Sequence, residues 1–194
     1  MSANEPILPQ LMFKRDHLEH LPLLEIPPGY TLCNFPDGGG EHWVRIINES
    51  FNMQYTMDDF KRIMLDDPAY RPDRIFFIRN PQGLPVATAS AYRHKDWAQD
   101  VGYVHYVGTC PAEQGKRLGY WVSLAVMHKF VQEGCRMCIL HTDDFRIPAI
   151  KTYFRLGMHP VIVDATQVER WKNIIPKLGI PEDAIRFELL LPKS

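Results

Sequence analysis

Six consecutive residues, Gln114-Gly115-Lys116-Arg117-Leu118-Gly119, combine two glycines with two cations. They lie between an apolar strand, Val101 to Cys110, which Pro111 breaks, and an apolar helix from about Leu118 to Gln132. A helix start leaves backbone N–H groups without partners, and glycine lets that backbone approach a ligand closely. With the positive end of the helix and two cations beside them, such amides form a cradle for a pyrophosphate. The implied chemistry is the holding of a phosphorylated carrier, and the carrier then decides the reaction. Spacing excludes two carriers. A nucleoside triphosphate loop needs Gly-x-x-x-x-Gly-Lys-Ser/Thr. Here six residues separate Gly108 from Gly115-Lys116, and Arg117 stands at the magnesium-binding hydroxyl position. A dinucleotide fingerprint needs Gly-x-Gly-x-x-Gly in the first βα turn of a parallel sheet, and neither that spacing nor the run of strands fits.

The elements that position this loop follow from pattern and punctuation. Residues 1–29 read as an arm packing on the domain, interrupted by Pro6, Pro9, Pro22, Pro27 and Pro28, with room for one short strand near Leu11 to Lys14. Residues 30–194 read as one domain. Tyr30 to Phe35 is a strand closed by Pro36-Asp37-Gly38-Gly39-Gly40; helices follow from Glu41 to Phe51 and, capped by Thr56, to Leu65. Strands at Arg74 to Arg79, Pro85 to His94 and Val101 to Cys110 are joined by the short turns 80–83 and 95–100, which implies antiparallel pairing. The first of these is apolar on both faces, so a central place is expected. After the helix at 118–132 come a strand from Cys135 to His141, a helix from Ile147 to Leu156 ended by Gly157, and a strand at Pro160 to Val163. A helix from Gln167 to Leu178 and a last strand from Ala184 to Leu191 complete the chain. The expected fold is α/β (α+β): a mixed, mainly antiparallel central sheet with helices on both faces.

Composition narrows the function. At 194 residues, with 45% apolar and 23% charged residues, the chain suits one globular domain. A net charge of −1 offers no footprint for nucleic acid or an anionic membrane, so neither is an expected partner. No apolar run approaches the roughly 20 residues of a membrane-spanning helix. The first residues lack the pattern of a secretion signal, and a cytoplasmic location is expected. Cys135-Arg136-Met137-Cys138 has metal-like spacing but sits in a strand-like segment where the two sulfurs should diverge. No second pair completes a zinc site, so the expectation is buried structural cysteines and no metal.

Cys110-Pro111-Ala112-Glu113-Gln114-Gly115-Lys116-Arg117-Leu118-Gly119 resembles the acetyl-CoA motif of the GNAT acyltransferase superfamily, Gln/Arg-x-x-Gly-x-Gly/Ala after a strand ending in proline. Downstream, Ala149-Ile150-Lys151-Thr152-Tyr153-Phe154-Arg155-Leu156-Gly157-Met158 is similar to that family's second motif, Ala-Ile-x-x-Tyr-x-x-x-Gly-Phe. The order of elements from Tyr30 onward matches too. Two residues depart from the pattern. Arg117 stands where the first motif has a glycine. Arg146 stands where many members have an asparagine touching the pantetheine arm; an arginine there reaches a carbonyl or phosphate of the carrier, reaches a substrate carboxylate, or is simply a solvated helix-start residue.

The resemblance implies an acyl-CoA-dependent N-acyltransferase that moves acetyl from acetyl-CoA to the amine of a small molecule by direct attack. The pyrophosphate would rest on the amides from Gln114 to Gly119 with help from Lys116 and Arg117. The pantetheine arm would pair with backbone at Val107, Gly108 and Thr109 and pass Arg146 and Ala149. The chemistry needs an acid for the departing thiolate and a base for the amine. A tyrosine at the position of Tyr153 commonly serves as acid in this family, and Arg146, Ala149 and Tyr153 share one helical face beside an apolar one of Ile147, Ile150 and Phe154. His105 is the candidate base, on a strand face shared with Tyr103, Val107 and Thr109; a structural histidine and a water relay stay open beside it. Trp43, Phe51, Asn52 and Tyr55 are pocket candidates whose other role is core packing. Asp143 and Asp144 either greet a cationic amine or form a solvated loop. The alternatives are a non-catalytic acyl-CoA sensor or interaction module, and an acetyltransferase of protein N-termini or lysines. The arm covers a sheet edge or swaps onto a partner in a homodimer; the sequence does not choose.

Overall fold

The computed structural model describes residues 8–94 and 97–190. In chain order the elements are β1 (Leu11–Arg15), β2 (Thr31–Asn34), α1 (Gly39–Phe51), α2 (Met57–Phe60), β3 (Ile75–Arg79), β4 (Pro85–Tyr92), β5 (Val101–Thr109), α3 (Leu118–Gln132), β6 (Met137–Thr142), α4 (Ile147–Arg155), β7 (His159–Ile162), α5 (Thr166–Leu178) and β8 (Glu188–Leu189). The helix expected from Thr56 to Leu65 is α2 continued by a π-helical turn, Lys61–Leu65. Thr56 caps it as expected: Thr56 Oγ1 accepts from the Asp59 amide at 3.3 Å, and the Asp59 carboxylate accepts from the Thr56 amide at 2.9 Å. The last strand is shorter than its sequence pattern. A 3-10 turn takes Glu182–Ala184, and only Glu188–Leu189 pairs. Leu191, and residues 95 and 96 of the turn after β4, lie outside the described residues.

The described residues form two compact units, 16–139 and 8–15 with 140–190. In the larger one, β2, β3, β4 and β5 make an antiparallel meander in sequence order, and β6 pairs in parallel beside β5. Strand β4 is small and buried almost throughout, which lets helices pack closely on it. Helix α3 is apolar around most of its circumference, with Leu118, Val122, Leu124, Ala125, Val126, Met127 and Phe130 buried, as a helix enclosed by its neighbours must be. A side chain at Gly102 would lie 2.5 Å from the Phe130 ring, and one at Gly108 would lie 2.9 Å from Ile47 of α1. The two faces of β5 therefore carry α3 and α1 respectively, as the expected layering requires.

One correction concerns the faces of β5. The register pairs Ser90 with His105 but Thr88 with Gly108, so β5 carries one extra residue there, and Tyr106 sits at φ 48. A bulge of this kind reverses the alternation beyond it. Tyr103 and His105 do share a face, the one toward α1. Val107 and Thr109 leave it, Gly108 takes their place, and Thr109 turns toward α3, where its Oγ1 lies 3.5 Å from the site of a Cβ on Gly119.

The smaller unit orders its strands β6-β1-β7-β8. Strand β1 lies inside that order and pairs antiparallel with β7, with Phe13 opposite Pro160, so part of the expected arm is an internal strand. The alternation explains the choice: Leu11 and Phe13 are fully buried. Strand β8 adds in parallel to β7. The Phe13 ring meets those of Tyr153 at 5.5 Å, Phe154 at 5.4 Å and Trp171 at 5.7 Å, which makes it the centre of this unit's core.

Candidate active site

The loop of the larger unit is built by backbone conformation. After β5, Pro111 opens one 3-10 turn, Pro111–Glu113, and Gln114 is extended. Gly115 then takes φ 82, which only glycine adopts freely, and Arg117 takes φ 58 as the N-cap of α3. A left-handed arginine costs about 1–2 kcal/mol. The loop therefore keeps, with an arginine, the main-chain path that a glycine would follow without strain. Among the described residues the amides of Gly115 to Gly119 meet no hydrogen-bond acceptor, and residues 114–117 are exposed. Gly119 and Thr109 are neighbours, so the open amides begin where β5 ends.

Strand β5 is itself only partly paired. Its parallel ladder with β6 covers Val101 to Tyr103 and stops, while β5 runs on to Thr109. From Val104 onward that edge has no ladder partner among the described residues. The Thr109 amide is taken, donating to Ser50 Oγ at 3.1 Å.

His105 lies half-buried in a group of rings: Tyr106 at 4.4 Å, Tyr92 at 4.9 Å and Tyr103 at 5.2 Å between centroids. The Tyr92 hydroxyl donates to Asp67 at 2.6 Å. Burial first, then that carboxylate, push its pKa up to about 12. Of the pocket candidates, Trp43 is fully buried core and Asn52 is the left-handed cap of α1. Phe51 and Tyr55 face a residue that the pattern did not single out, Tyr106, which stacks on Phe51 at 6.2 Å and meets Trp43 at 4.9 Å. Burial and a hydrogen bond with Tyr55 raise the Tyr106 pKa. The bulge brings His105 and Tyr106, adjacent in sequence, to the same face. Nothing in the sequence of β5 marks it.

The smaller unit holds the second motif. Pro148 stands in the first turn of α4, where its missing N–H costs nothing, and Arg146 precedes the helix. Arg146 Nε donates to Asp143 at 2.9 Å, and its guanidinium lies 5.3 Å from the Phe145 ring. Asp143 also accepts from Gln10 at 2.9 Å, and Asp144 holds Arg170 through Nε at 2.8 Å and through a second nitrogen. Both acids are thus engaged by side chains of the chain itself. Ala149 is half-buried. Tyr153 is 5% exposed, its ring inclined at 59° to that of Phe13. Cys135 and Cys138 are buried and in no disulfide, and the burial is as expected.

The acetyltransferase (GNAT) family matches residues 41–158. A mycothiol acetyltransferase from Nocardia farcinica is 30% identical over 74% of this chain and 50% of its own length. Another, from Thermomonospora curvata, is 27% identical over 74% and 49%. The chain spans about half the length of these relatives. A crystal structure of a GCN5-related N-acetyltransferase from Sphaerobacter thermophilus superposes with a TM-score of 0.65 at 20% identity, over 79% of this chain and 49% of that one, and shares the fold. With more than half of its length matched, this chain belongs to the acetyltransferase (GNAT) family.

Proposed function

We propose that the chain is an acetyl-CoA-dependent N-acetyltransferase acting on the amine of a small molecule by direct attack. The observation that carries this reading is the run of unpartnered amides from Gly115 to Gly119 at the start of a buried helix, next to a strand edge that lacks a ladder beyond Tyr103. The amides fit a diphosphate and the edge fits the amide groups of a pantetheine arm. The relatives are named for acetyl transfer in connection with a small molecule, mycothiol, which favours a small-molecule acceptor.

In this reading acetyl-CoA supplies an activated thioester. Gly115 to Gly119 bind its diphosphate through main-chain N–H groups, with Arg117 beside them. His105 takes a proton from the ammonium of the acceptor, so that the nitrogen lone pair is available for attack on the thioester carbonyl. As the carbon–nitrogen bond forms and the carbon–sulfur bond breaks, Tyr153 would give its phenolic proton to the departing sulfur, and the second proton that the nitrogen sheds on becoming an amide would restore the phenol. The reading also places the enzyme in the cytoplasm.

Thermal melting with acetyl-CoA tests the cradle. The melting temperature should rise with carrier concentration, and a flat curve at millimolar carrier overturns the reading. A screen of amines with thiol detection then identifies the acceptor.

A further inference from the structure

Lys116 is not a loose cation in its loop. Its Nζ lies 2.5 Å from Glu113 Oε2 and 2.8 Å from the Tyr30 hydroxyl, and 5.5 Å from the centre of the Tyr30 ring. The Tyr30 hydroxyl donates to the same carboxylate oxygen at 2.7 Å, and Asn80 Nδ2 reaches the other oxygen at 3.4 Å. Glu113 therefore has partners on both oxygens. Its carboxylate occupies the ammonium as the oxygen of an incoming phosphate would. Among the described residues the amides of Gly115 to Gly119 meet no acceptor. Within a few residues, then, the loop holds one cation already neutralised and a row of donors that are not.

We propose that Glu113, steadied by Tyr30, is an internal competitor for the carrier's diphosphate: it holds Lys116 in the free protein, and the diphosphate must win that cation from it. The inference rests on the reading of this loop as the diphosphate cradle. Two physical points support it. Lys116 is the exposed half of the pair and Glu113 keeps its Tyr30 and Asn80 partners when the lysine leaves, so exchanging the ammonium to a more highly charged anion costs little. The carboxylate also cancels one of the loop's two cationic charges, which lowers the pull on any anion before contact. Its consequence falls on turnover. A carrier that must compete for Lys116 leaves more readily once its acyl group is gone, and release of the spent carrier limits many enzymes.

The test is calorimetric titration with free coenzyme A of the parent, Glu113→Gln, Tyr30→Phe, Lys116→Met and the Glu113→Gln/Lys116→Met double variant, at low and at near-physiological salt. Glu113→Gln should tighten binding about threefold at low salt, with a steeper loss as salt rises. Tyr30→Phe, which leaves the carboxylate in place, should tighten it by less. With Lys116 replaced, the Glu113→Gln gain should shrink to the small, salt-screened part that loss of one negative charge gives by itself. Binding by Glu113→Gln equal to or weaker than the parent overturns the proposal, and so does a gain that is as large at near-physiological salt without Lys116 as with it. Should Glu113→Gln melt far below the parent, unchanged or weaker binding by Tyr30→Phe overturns it instead. If the parent and every variant ignore coenzyme A, the cradle reading falls and this inference with it.

Discussion

The loop ahead of α3 offers its main chain, whereas α4 offers side chains locked into a core. In the loop the donors left without an acceptor among the described residues are main-chain amides, residues 114–117 are exposed, and an arginine stands in a glycine's conformation. In α4 the Tyr153 phenol, the proposed acid, is buried against Phe13, and the arginine before the helix is bonded to Asp143. The two sites should therefore respond differently to substitution. A backbone site tolerates changes of side chain that keep its φ and ψ angles. A packed site tolerates few.

The strongest way to break this contrast is Phe13→Ala. Its ring touches those of Tyr153, Phe154 and Trp171, and its removal should cost about 4 kcal/mol in urea unfolding. A loss below about 1 kcal/mol would show that α4 is not organised by packing. Next comes Tyr153→Phe, which keeps the ring and its contacts and removes only the hydroxyl. Turnover should fall about a hundredfold while coenzyme A affinity stays within twofold; equal turnover removes Tyr153 from the chemistry. Arg117 sharpens the other half of the contrast. Arg117→Gly should raise stability by about 1 kcal/mol by relieving the left-handed backbone, and Arg117→Ala should not. Both should hold coenzyme A within about tenfold of the parent if amides carry the binding. A complete loss of affinity in both would shift the weight to the side chain.

The smallest effect is a titration. The bond from Lys116, then that from Tyr30, holds the Glu113 carboxyl below its ordinary pKa of 4.5. A group depressed in the folded state contributes stability above that ordinary value and loses it as pH falls through the folded one. Acid unfolding below pH 4.5 should therefore be slightly shallower in Glu113→Gln, and identical slopes would mean that the pair contributes nothing to stability.

Much of this was legible in the sequence, because the signals were local. Pro111 after a β-like run, Gly115, and an apolar stretch from Leu118 define the loop and its helix by neighbours a few residues apart. The Thr56 cap was legible for the same reason. What could not be read depends on distant partners. Tyr30 reaches Glu113 across 83 positions, and Arg170 reaches Asp144 across 26, so the loop cation and the acids after β6 look free in sequence and are not. The bulge at Tyr106 hides because no residue type in the run Val101 to Thr109 marks it, and the extra residue shows only against β4. Strand β1 was visible as a strand, but its internal position was not, since pairing with β7 spans most of the chain.

The bond from the Thr109 amide to Ser50 ties the final turn of α1 to the strand end that adjoins the cradle. A molecule settling against Phe51 would tug on that tether, and whatever it does to coenzyme affinity, the coenzyme must do to its affinity in return. Two titrations, each repeated with the other ligand saturating, would measure the size of this reciprocal effect, and constants unchanged by the second ligand would show the tether to be silent.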